Sequence, residues 1–333
     1  MKRIVRHSAA GRSAVAAALT CLAMGCSPTL FAAQDYPVKP IRLIVTFPAG
    51  GPSDVSARNF AQLLSRRLGQ QIIIENRPGA SGTIGTRMAA SAAPDGYTLL
   101  YCSVATHSAN VALFPDLAYD PVKDFTPIVR FSTAPFVLLV NPSLPVRTLG
   151  DLTALAKAQP GKLRYGSAGV ATFTHIIGEV LTHQTGMKLI HVPYKGSAPA
   201  VIDAIGGHID MVFTSSPDAL PQIKAGQLRA LAITGPRRLA ALPEVPTMAE
   251  NGVTESELLG WGGLCAPSGT PQAVIGKLNA EAVAAYLAPN VKANLELQGY
   301  ELAANTPEEF AQFIKLDIAR TVALVKRFGI RPE

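Results

Sequence analysis

The sequence contains 333 residues, with 30 lysines and arginines against 23 aspartates and glutamates, which gives a formal net charge of +7. This length predicts about two domains, each long enough to bury a core. Much of the excess positive charge lies in the first twelve residues, and no cluster of basic residues follows it. The charge distribution therefore argues against a nucleic-acid partner.

Residues 1–33 are predicted to be an export signal. A basic segment at 2–12 precedes an apolar run at 14–24, which is about half the length of a membrane span. Removing 1–33 leaves 26 basic and 23 acidic residues, so that the net charge falls to +3. We expect a periplasmic protein. Lipid attachment at Cys26 is the less favoured alternative, because alanine stands at position 23, where lipoprotein signals usually carry leucine.

Two cysteines, Cys102 and Cys265, remain after the predicted signal. Each lies in an apolar run that is typical of a strand, so the two could be strand neighbours that form a disulfide in an oxidising compartment. Two cysteines do not make a disulfide framework pattern, however. We therefore favour two unpaired, buried cysteines that behave as small apolar residues.

Strands and helices alternate after residue 37. Apolar runs predict strands at 41–47, 71–76 and 98–102, and apolar residues at helical spacing predict helices at 54–68 and 83–92. A further apolar run lies at 137–140. The β-branched run at 72–74 is typical of a strand that is covered on both faces. This alternation predicts a parallel sheet with glycine-rich turns at the carboxyl ends of its strands.

Two of these turns have the chemistry of an anion site. Residues 47–54 and 79–82 combine glycines, which allow close backbone approach, with amides at a helix N terminus. Asp54 or Ser53 is expected to cap the first helix. Lysine is absent from the first turn, which argues against phosphate. The candidate ligand-binding residues of this half are Phe47, Ala49, Gly50, Gly51, Ser53, Asp54, Ala80, Ser81, Gly82 and, after the third strand, Thr106.

A second alternation begins after two prolines at 142 and 145. It predicts strands at 163–167, 189–192, 209–214 and 228–234, separated by helices, and a return strand at 258–267. Helices at 272–287, 291–298 and 307–328 follow and are expected to pack on the first unit. We therefore predict a discontinuous domain 1, residues 34–140 and 262–333, and a domain 2, residues 141–261, with a ligand cleft between them.

The second domain offers hydroxyl groups and amides at the ends of its strands. Ser167, Gly169 and Thr172 open a helix, and Tyr194 follows the next strand, where its ring could wall the cleft. His175 is expected near the cleft because it lies in the first turn of the same helix. Two further hydroxyl-bearing candidates end a strand, Ser215 and Ser216.

Three patterns that could indicate catalysis, a cofactor or a metal fit their residues less well than the binding site does. Residues 165–169 resemble a nucleophile elbow around Ser167, but Tyr165 occupies the place of its first glycine. The glycines at 79, 82 and 85 have the wrong spacing for a dinucleotide fingerprint. A histidine and glutamate series, His175, Glu179 and His183, drifts around its helix, so no metal is expected. A secreted serine hydrolase that uses Ser167 remains the alternative function.

Five ordered motifs resemble the Bug family, the extracytoplasmic solute-binding receptors of tripartite tricarboxylate transporters. They are Phe-Pro-Ala-Gly-Gly-Pro-Ser-Asp at 47–54, Glu-Asn-Arg-Pro-Gly-Ala-Ser-Gly at 75–82, Tyr-Gly-Ser-Ala-Gly at 165–169, His-Val-Pro-Tyr-Lys-Gly at 191–196 and Trp-Gly-Gly-Leu-Cys-Ala-Pro-Ser-Gly-Thr-Pro at 261–271. The resemblance covers the chain from residue 36. It implies a type II periplasmic-binding-protein fold, with two Rossmann-like lobes joined by two crossover strands.

The resemblance also implies a function. Such a receptor closes its lobes on a small organic acid, held largely through backbone amides, and releases it to the membrane subunits of a transporter or to a sensor kinase. We expect a monomer that is not an enzyme and that carries no cofactor. The resemblance does not identify the carboxylate.

Overall fold

The computed structural model describes Met1 and residues 36–170 and 172–331. Residues from Pro37 onward belong to one compact unit. The predicted export signal, with Cys26, therefore lies outside the described residues except for Met1. Among the helices described, none combines the length and apolar character needed to cross a membrane.

Ten strands and ten α-helices are found in the described residues. The strands are β1 (Ile41–Val45), β2 (Ile72–Asn76), β3 (Thr98–Ser103), β4 (Phe125–Val140), β5 (Arg164–Ser167), β6 (Ile190–Pro193), β7 (Met211–Ser215), β8 (Arg229–Ile233), β9 (Leu259–Pro267) and β10 (Glu301–Leu302). The helices are α1 (Pro52–Leu68), α2 (Thr83–Ala90), α3 (Asn110–Leu113), α4 (Leu149–Ala158), α5 (Phe173–Thr185), α6 (Ser197–Ile205), α7 (Ser216–Lys224), α8 (Gln272–Tyr286), α9 (Pro289–Leu297) and α10 (Pro307–Phe328).

The strands form one mixed sheet in the order β2-β1-β3-β9-β4-β7-β5-β6, with β8 and β10 also paired to β4. Its two ends are parallel, since β1 pairs in parallel with β2 and β3, and β5 with β6 and β7. Helices follow the parallel strands, as the alternating pattern predicts. The α/β prediction is confirmed, and the parallel strands form two groups, which we call the first strand group (β1–β3) and the second strand group (β5–β7).

Strands β4 and β9 connect the two groups. The N-terminal part of β4 pairs antiparallel with β9, which in turn pairs with β3, and its C-terminal part pairs with β7 and β8. The sequence predicts only the last four residues of β4. The earlier residues include Pro127 and Pro135, and the pairing shifts register just after Pro127. Because proline removes a ladder donor, a strand that contains two prolines gives a weak sequence signal.

The C-terminal helices pack on the first strand group. Tyr286 of α8 lies 5.7 Å from Phe60 of α1 between ring centroids, and Arg67 Nε donates to Glu281 Oε2 over 2.6 Å. Helix α10 begins with a capping box in which the side chains of Thr306 and Glu309 bond to each other's backbone N–H. The chain therefore crosses to the second strand group through β4 and returns through β9.

Cys102 and Cys265 form a disulfide, with their Cα atoms 6.0 Å apart. The expectation of two unpaired cysteines is wrong. The two residues lie on adjacent antiparallel strands, β3 and β9, where Leu100 is the direct partner of Cys265. That adjacency was not visible in the sequence, because it depends on how a strand from the end of the chain inserts into the first group.

The disulfide is expected to stabilise the fold by closing a loop of 163 residues between β3 and β9. Converting both Cys102 and Cys265 to alanine should lower the free energy of unfolding by about 2–4 kcal/mol, as measured by urea unfolding. Reductant should destabilise the unmodified protein toward the same value and leave the double variant unchanged. Equal stability of the two proteins under oxidising conditions would rule out a stabilising bond.

Candidate ligand-binding cavity

A cavity of about 790 Å³ opens between the two strand groups. Its walls come from the segments that follow the carboxyl ends of β1, β2 and β3 on one side and of β5, β6 and β7 on the other. This is the location where ligands bind in open α/β sheets. Twelve of the predicted ligand-binding residues line the cavity: Phe47, Ala49, Gly50, Gly51, Ser53, Ala80, Ser81, Gly82, Gly169, Thr172, Tyr194 and Ser215.

The turn after β1 is held in shape by Asp54, which is buried beside the cavity and does not line it. Asp54 Oδ2 accepts hydrogen bonds from the Gly50 N–H at 2.9 Å and from Arg58 Nε at 2.8 Å, and its Oδ1 accepts from Asn76 at 2.9 Å. Burial disfavours the charged carboxylate, but these three donors outweigh it, so the pKa of Asp54 lies below its usual value.

Two details of this turn differ from the prediction. Gly51 occupies the N-cap position of α1, with no side-chain cap, so neither Ser53 nor Asp54 is the capping residue. The Gly50 N–H is also already bonded to Asp54. Because the first amides of a helix have no intrahelical acceptor, the start of α1 can offer a ligand the N–H of Ser53, which lines the cavity.

The turn after β2 is strained. Ala80 and Ser81 both have positive φ angles, of 46° and 54°, and the flanking Gly79 and Gly82 have φ angles of 130° and 88°. Non-glycine residues rarely adopt this region of backbone conformation. Residues that do adopt it are often found at ligand-binding sites, where the surrounding structure compensates for the strain. In the described structure the Ala80 and Ser81 N–H groups have no backbone acceptor. Consecutive free amides of this kind form a concave anion site.

Glycine is required at position 82 by both conformation and space. A Cβ atom there would lie 3.0 Å from Thr46 Oγ1 and 3.3 Å from the Thr106 methyl carbon. Thr106 itself is buried and does not line the cavity, because its hydroxyl bonds with the backbone of Ser103. Thr106 therefore supports the turn from behind.

The turn after β5 is organised by its own hydroxyl groups. Thr172 Oγ1 donates to the Gly169 carbonyl over 2.7 Å, and the Ala168 N–H donates to Thr174 Oγ1 over 2.9 Å. Gly169 has a φ angle of 136°, and a Cβ atom there would lie 3.0 Å from the Tyr194 carbonyl oxygen. Close approach of the turns after β5 and β6 therefore requires glycine at position 169.

Ser167 is buried under this turn and does not line the cavity. Its Oγ lies 3.0 Å from the Gly169 carbonyl, 3.1 Å from the Gly169 N–H and 2.6 Å from His191 Nε2. All three contacts are satisfied together when Ser167 donates to the carbonyl and accepts from the other two groups. In that arrangement His191 donates to Ser167, and the hydroxyl proton of Ser167 is directed at the Gly169 carbonyl and not at a base.

His175 is also buried and outside the cavity lining. Its ring stacks on His191 with centroids 4.1 Å apart and an interplanar angle of 4°, and its Nε2 lies 3.8 Å from Glu179 Oε1. Burial, and secondarily the neighbouring His175, lower the pKa of His191 to about 4. These stacked rings support the turn after β5, and His175 is not among the residues that line the cavity, so its contact with a ligand stays a prediction.

Of the remaining candidates, Tyr194 and Ser215 line the cavity and Ser216 does not. The Tyr194 ring lines the cavity, while its hydroxyl donates to Asp203 Oδ2 over 2.7 Å. Ser215 lines the cavity and donates to Asp218 Oδ2 over 2.8 Å. Ser216, in contrast, is fully buried and donates to the Gly299 carbonyl. Ser216 therefore joins α7 to the segment before β10 and does not reach the cavity.

The sequence missed an aromatic part of the cavity, formed by Tyr101, Phe136, Trp261 and Tyr300. Trp261 and Tyr101 lie in predicted strands, but nothing in their spacing shows that β3 and β9 become neighbours. Phe136 belongs to the part of β4 that was not predicted. No local signal singles out Tyr300, which reaches the cavity from the segment before β10.

A group of possible metal ligands lies apart from the cavity. The ligand atoms of Cys102, His107 and Cys265 are within 4.8 Å of one another. Both sulfur atoms are used in the disulfide, and burial lowers the pKa of His107 to about 3, which keeps its ring neutral. With its thiolates oxidised, this group does not have the donor set that a structural metal needs.

A family model described as the tripartite tricarboxylate transporter family receptor matches residues 56–330. The chain belongs to this receptor family. It is 37% identical over 300 residues to protein BugT of Bordetella pertussis, which covers 90% of this chain and 92% of that protein. The family consists of solute-binding receptors and not enzymes. Both this membership and the hydrogen bonds of Ser167 argue against the hydrolase alternative, which is rejected.

Solved structures of receptors have the same fold. A structure of an R. palustris protein with adipate is 34% identical, with a TM-score of 0.86, and covers 90% of this chain and all of that one. The periplasmic binding protein BugD is 32% identical, with a TM-score of 0.83 and the same coverage. MatC from Rhodopseudomonas palustris with bound malate is 33% identical, with a TM-score of 0.81, and covers 87% of this chain and all of that one. The periplasmic-binding-protein fold implied by the sequence is confirmed.

The stacked rings of His175 and His191 predict a pH dependence of stability. Because the pKa of His191 is about 4 in the folded chain and near its usual value of 6.5 in the unfolded chain, the unfolded state binds the extra proton between these values. The contribution is therefore present above pH 6.5 and is lost as pH falls toward 4. His191→Gln should flatten this part of the curve of unfolding free energy against pH, measured by urea unfolding.

The matched control is His208→Gln, which replaces an exposed histidine in the turn before β7. It should leave the steepness of the curve as in the unmodified protein. His191→Gln will also lower stability at every pH, since it removes the contact with Ser167, and so only the slope between pH 6.5 and 4 is informative. An unchanged slope in His191→Gln would contradict the assignment.

Proposed function

We propose that this chain is a periplasmic solute-binding protein that captures a small organic acid by closing two lobes over the cavity. It then delivers the acid to the membrane subunits of a tripartite tricarboxylate transporter. The lobes correspond to the first and second strand groups, with boundaries near residues 140 and 261. We further propose that the protein acts as a monomer. A sensor kinase as the receiving partner is the alternative, since it would need the same cavity.

One observation carries the proposal: backbone-rich turns from both strand groups meet at one cavity whose described lining contains a single charged side chain, Lys195. Lys195 is exposed. The acid is therefore held by N–H groups, with Ala80 and Ser81 in the left-handed turn and Ser53 at the start of α1. Each charge-assisted hydrogen bond contributes about 1.5–3 kcal/mol, so a few of them reach the roughly 8 kcal/mol of micromolar affinity.

The receptors of known structure support the class of ligand. One is described with adipate and another with malate, which are both carboxylates. We propose a carboxylate ligand for this chain, without proposing adipate or malate itself. Calorimetry and thermal unfolding with a panel of carboxylates test it directly. A ligand at a hundredfold excess over its Kd should raise the free energy of unfolding by about 2.7 kcal/mol, whereas no response across the panel would refute the proposal.

Two substitutions separate recognition by the backbone from recognition by the cation. Gly51 lines the cavity, and a Cβ atom added there would lie 3.3 Å from the Pro48 carbonyl oxygen. Gly51→Val should therefore crowd the turn and weaken binding at least tenfold. Lys195→Ala should weaken binding less than Gly51→Val does, because an exposed ammonium is screened by solvent. Calorimetric Kd values for both variants measure the difference, and a larger loss in Lys195→Ala would assign recognition to the cation.

A further inference from the structure

The interior of the cavity differs from its turns in chemistry. We use the name aromatic floor for Tyr101, Phe136, Trp261 and Tyr300, all of which line the cavity. They come from β3, β4, β9 and the residue before β10, and these strands are neighbours in the sheet. Four aromatic residues that are far apart in sequence thus line one cavity.

Two glycines of β9 make room for the floor. A Cβ atom at Gly262 would overlap the Tyr101 hydroxyl, and one at Gly260 would lie 3.2 Å from the Phe136 ring. Because β9 has no side chains at these two positions, the rings of Tyr101 and Phe136 can lie against the strand. The aromatic surface is therefore built into the backbone of the crossover strand.

The floor is also held rigidly. Trp261 Nε1 donates to Asp317 Oδ2 over 2.8 Å, and the Phe136 ring packs against Phe173 with centroids 5.6 Å apart. Phe173 itself lines the cavity at the start of α5. Preformed aromatic walls of this kind bind flat apolar groups, with ring centroids 4.5–7 Å apart.

A second carboxylate would have no cation in this part of the cavity. The described lining contains no arginine and no histidine, and its lysine, Lys195, is exposed in the turn after β6. Behind Ser215 lies the carboxyl group of Asp218, whose hydrogen-bond partners are the hydroxyls of Ser215 and Thr214. A ligand carboxylate beside Ser215 would find this hydroxyl already donated to Asp218, and burying a carboxylate without a donor is unfavourable.

We propose that the ligand is an aromatic monocarboxylate of one or two rings, with its carboxylate at the turns after β1 and β2 and its ring on the aromatic floor. This inference rests on the proposed function and narrows it to one class of acid. The proposed ligand has one carboxylate, whereas adipate and malate, the ligands of the two related structures, carry a carboxylate at each end.

Calorimetry at one pH and ionic strength tests the inference with benzoate, 2-naphthoate, adipate and malate, and with methyl benzoate as the uncharged control. We expect benzoate or 2-naphthoate to bind at least tenfold more tightly than either dicarboxylate, and methyl benzoate not to bind. Tighter binding of adipate or malate would overturn the inference and leave the proposed function intact. If no acid binds, or if methyl benzoate binds as well as benzoate, the proposed function fails too.

Phe136→Leu tests the floor itself, and Phe125→Leu is its matched control. Both residues lie on β4, but Phe125 is buried against Tyr119, with ring centroids 6.4 Å apart, and does not line the cavity. Phe136→Leu should weaken binding of the aromatic acid about tenfold, whereas Phe125→Leu should lower stability and leave the Kd unchanged. Tyr300→Leu, at a half-buried position, provides a second floor variant if Phe136→Leu does not fold. Unchanged affinity in the folded floor variants would overturn the inference.

Discussion

The antiparallel pairing of β4 with β9 is the constraint on which the cavity depends. It places two strands between the two parallel groups, so that the carboxyl ends of β1–β3 and β5–β7 open toward the same space. The disulfide from Cys102 to Cys265 fixes β9 against β3, and the pairing of β4 with β7 fixes the second group. A change in the register of these strands would separate the turns that line the cavity.

The turns owe their chemistry to residues that do not contact the cavity. Asp54 holds Gly50, Thr106 lies behind Gly82, and Ser167 closes the turn that contains Gly169. Each was predicted to bind the ligand, and each instead supports a neighbour that lines the cavity. Backbone donors can be presented at fixed positions only when the turn is rigid, and side chains buried beneath the turns provide that rigidity.

The sequence predicted the local structure well and the non-local contacts poorly. Strand and helix periodicity located most elements, and the glycine-rich motifs identified the turns on both sides of the cavity. The sequence could not show which residues of a turn face the cavity. Ser215 and Ser216, for example, are adjacent serines, but the first lines the cavity and the second is buried away from it. The disulfide, the early part of β4 and the contribution of Tyr300 all depend on long-range pairing, which leaves no periodic signal. The domain boundaries stay predictions.

The central claim is that main-chain N–H groups, and not charged side chains, hold the carboxylate of the ligand. The most direct measurement follows the backbone amide chemical shifts of ¹⁵N-labelled protein during titration with a carboxylate that calorimetry has shown to bind. The account predicts the largest downfield proton shifts at Ser53, Ala80 and Ser81, because a hydrogen bond to an anion forms at each. Shifts confined to Lys195 and its neighbours, with those three amides unchanged, would contradict it.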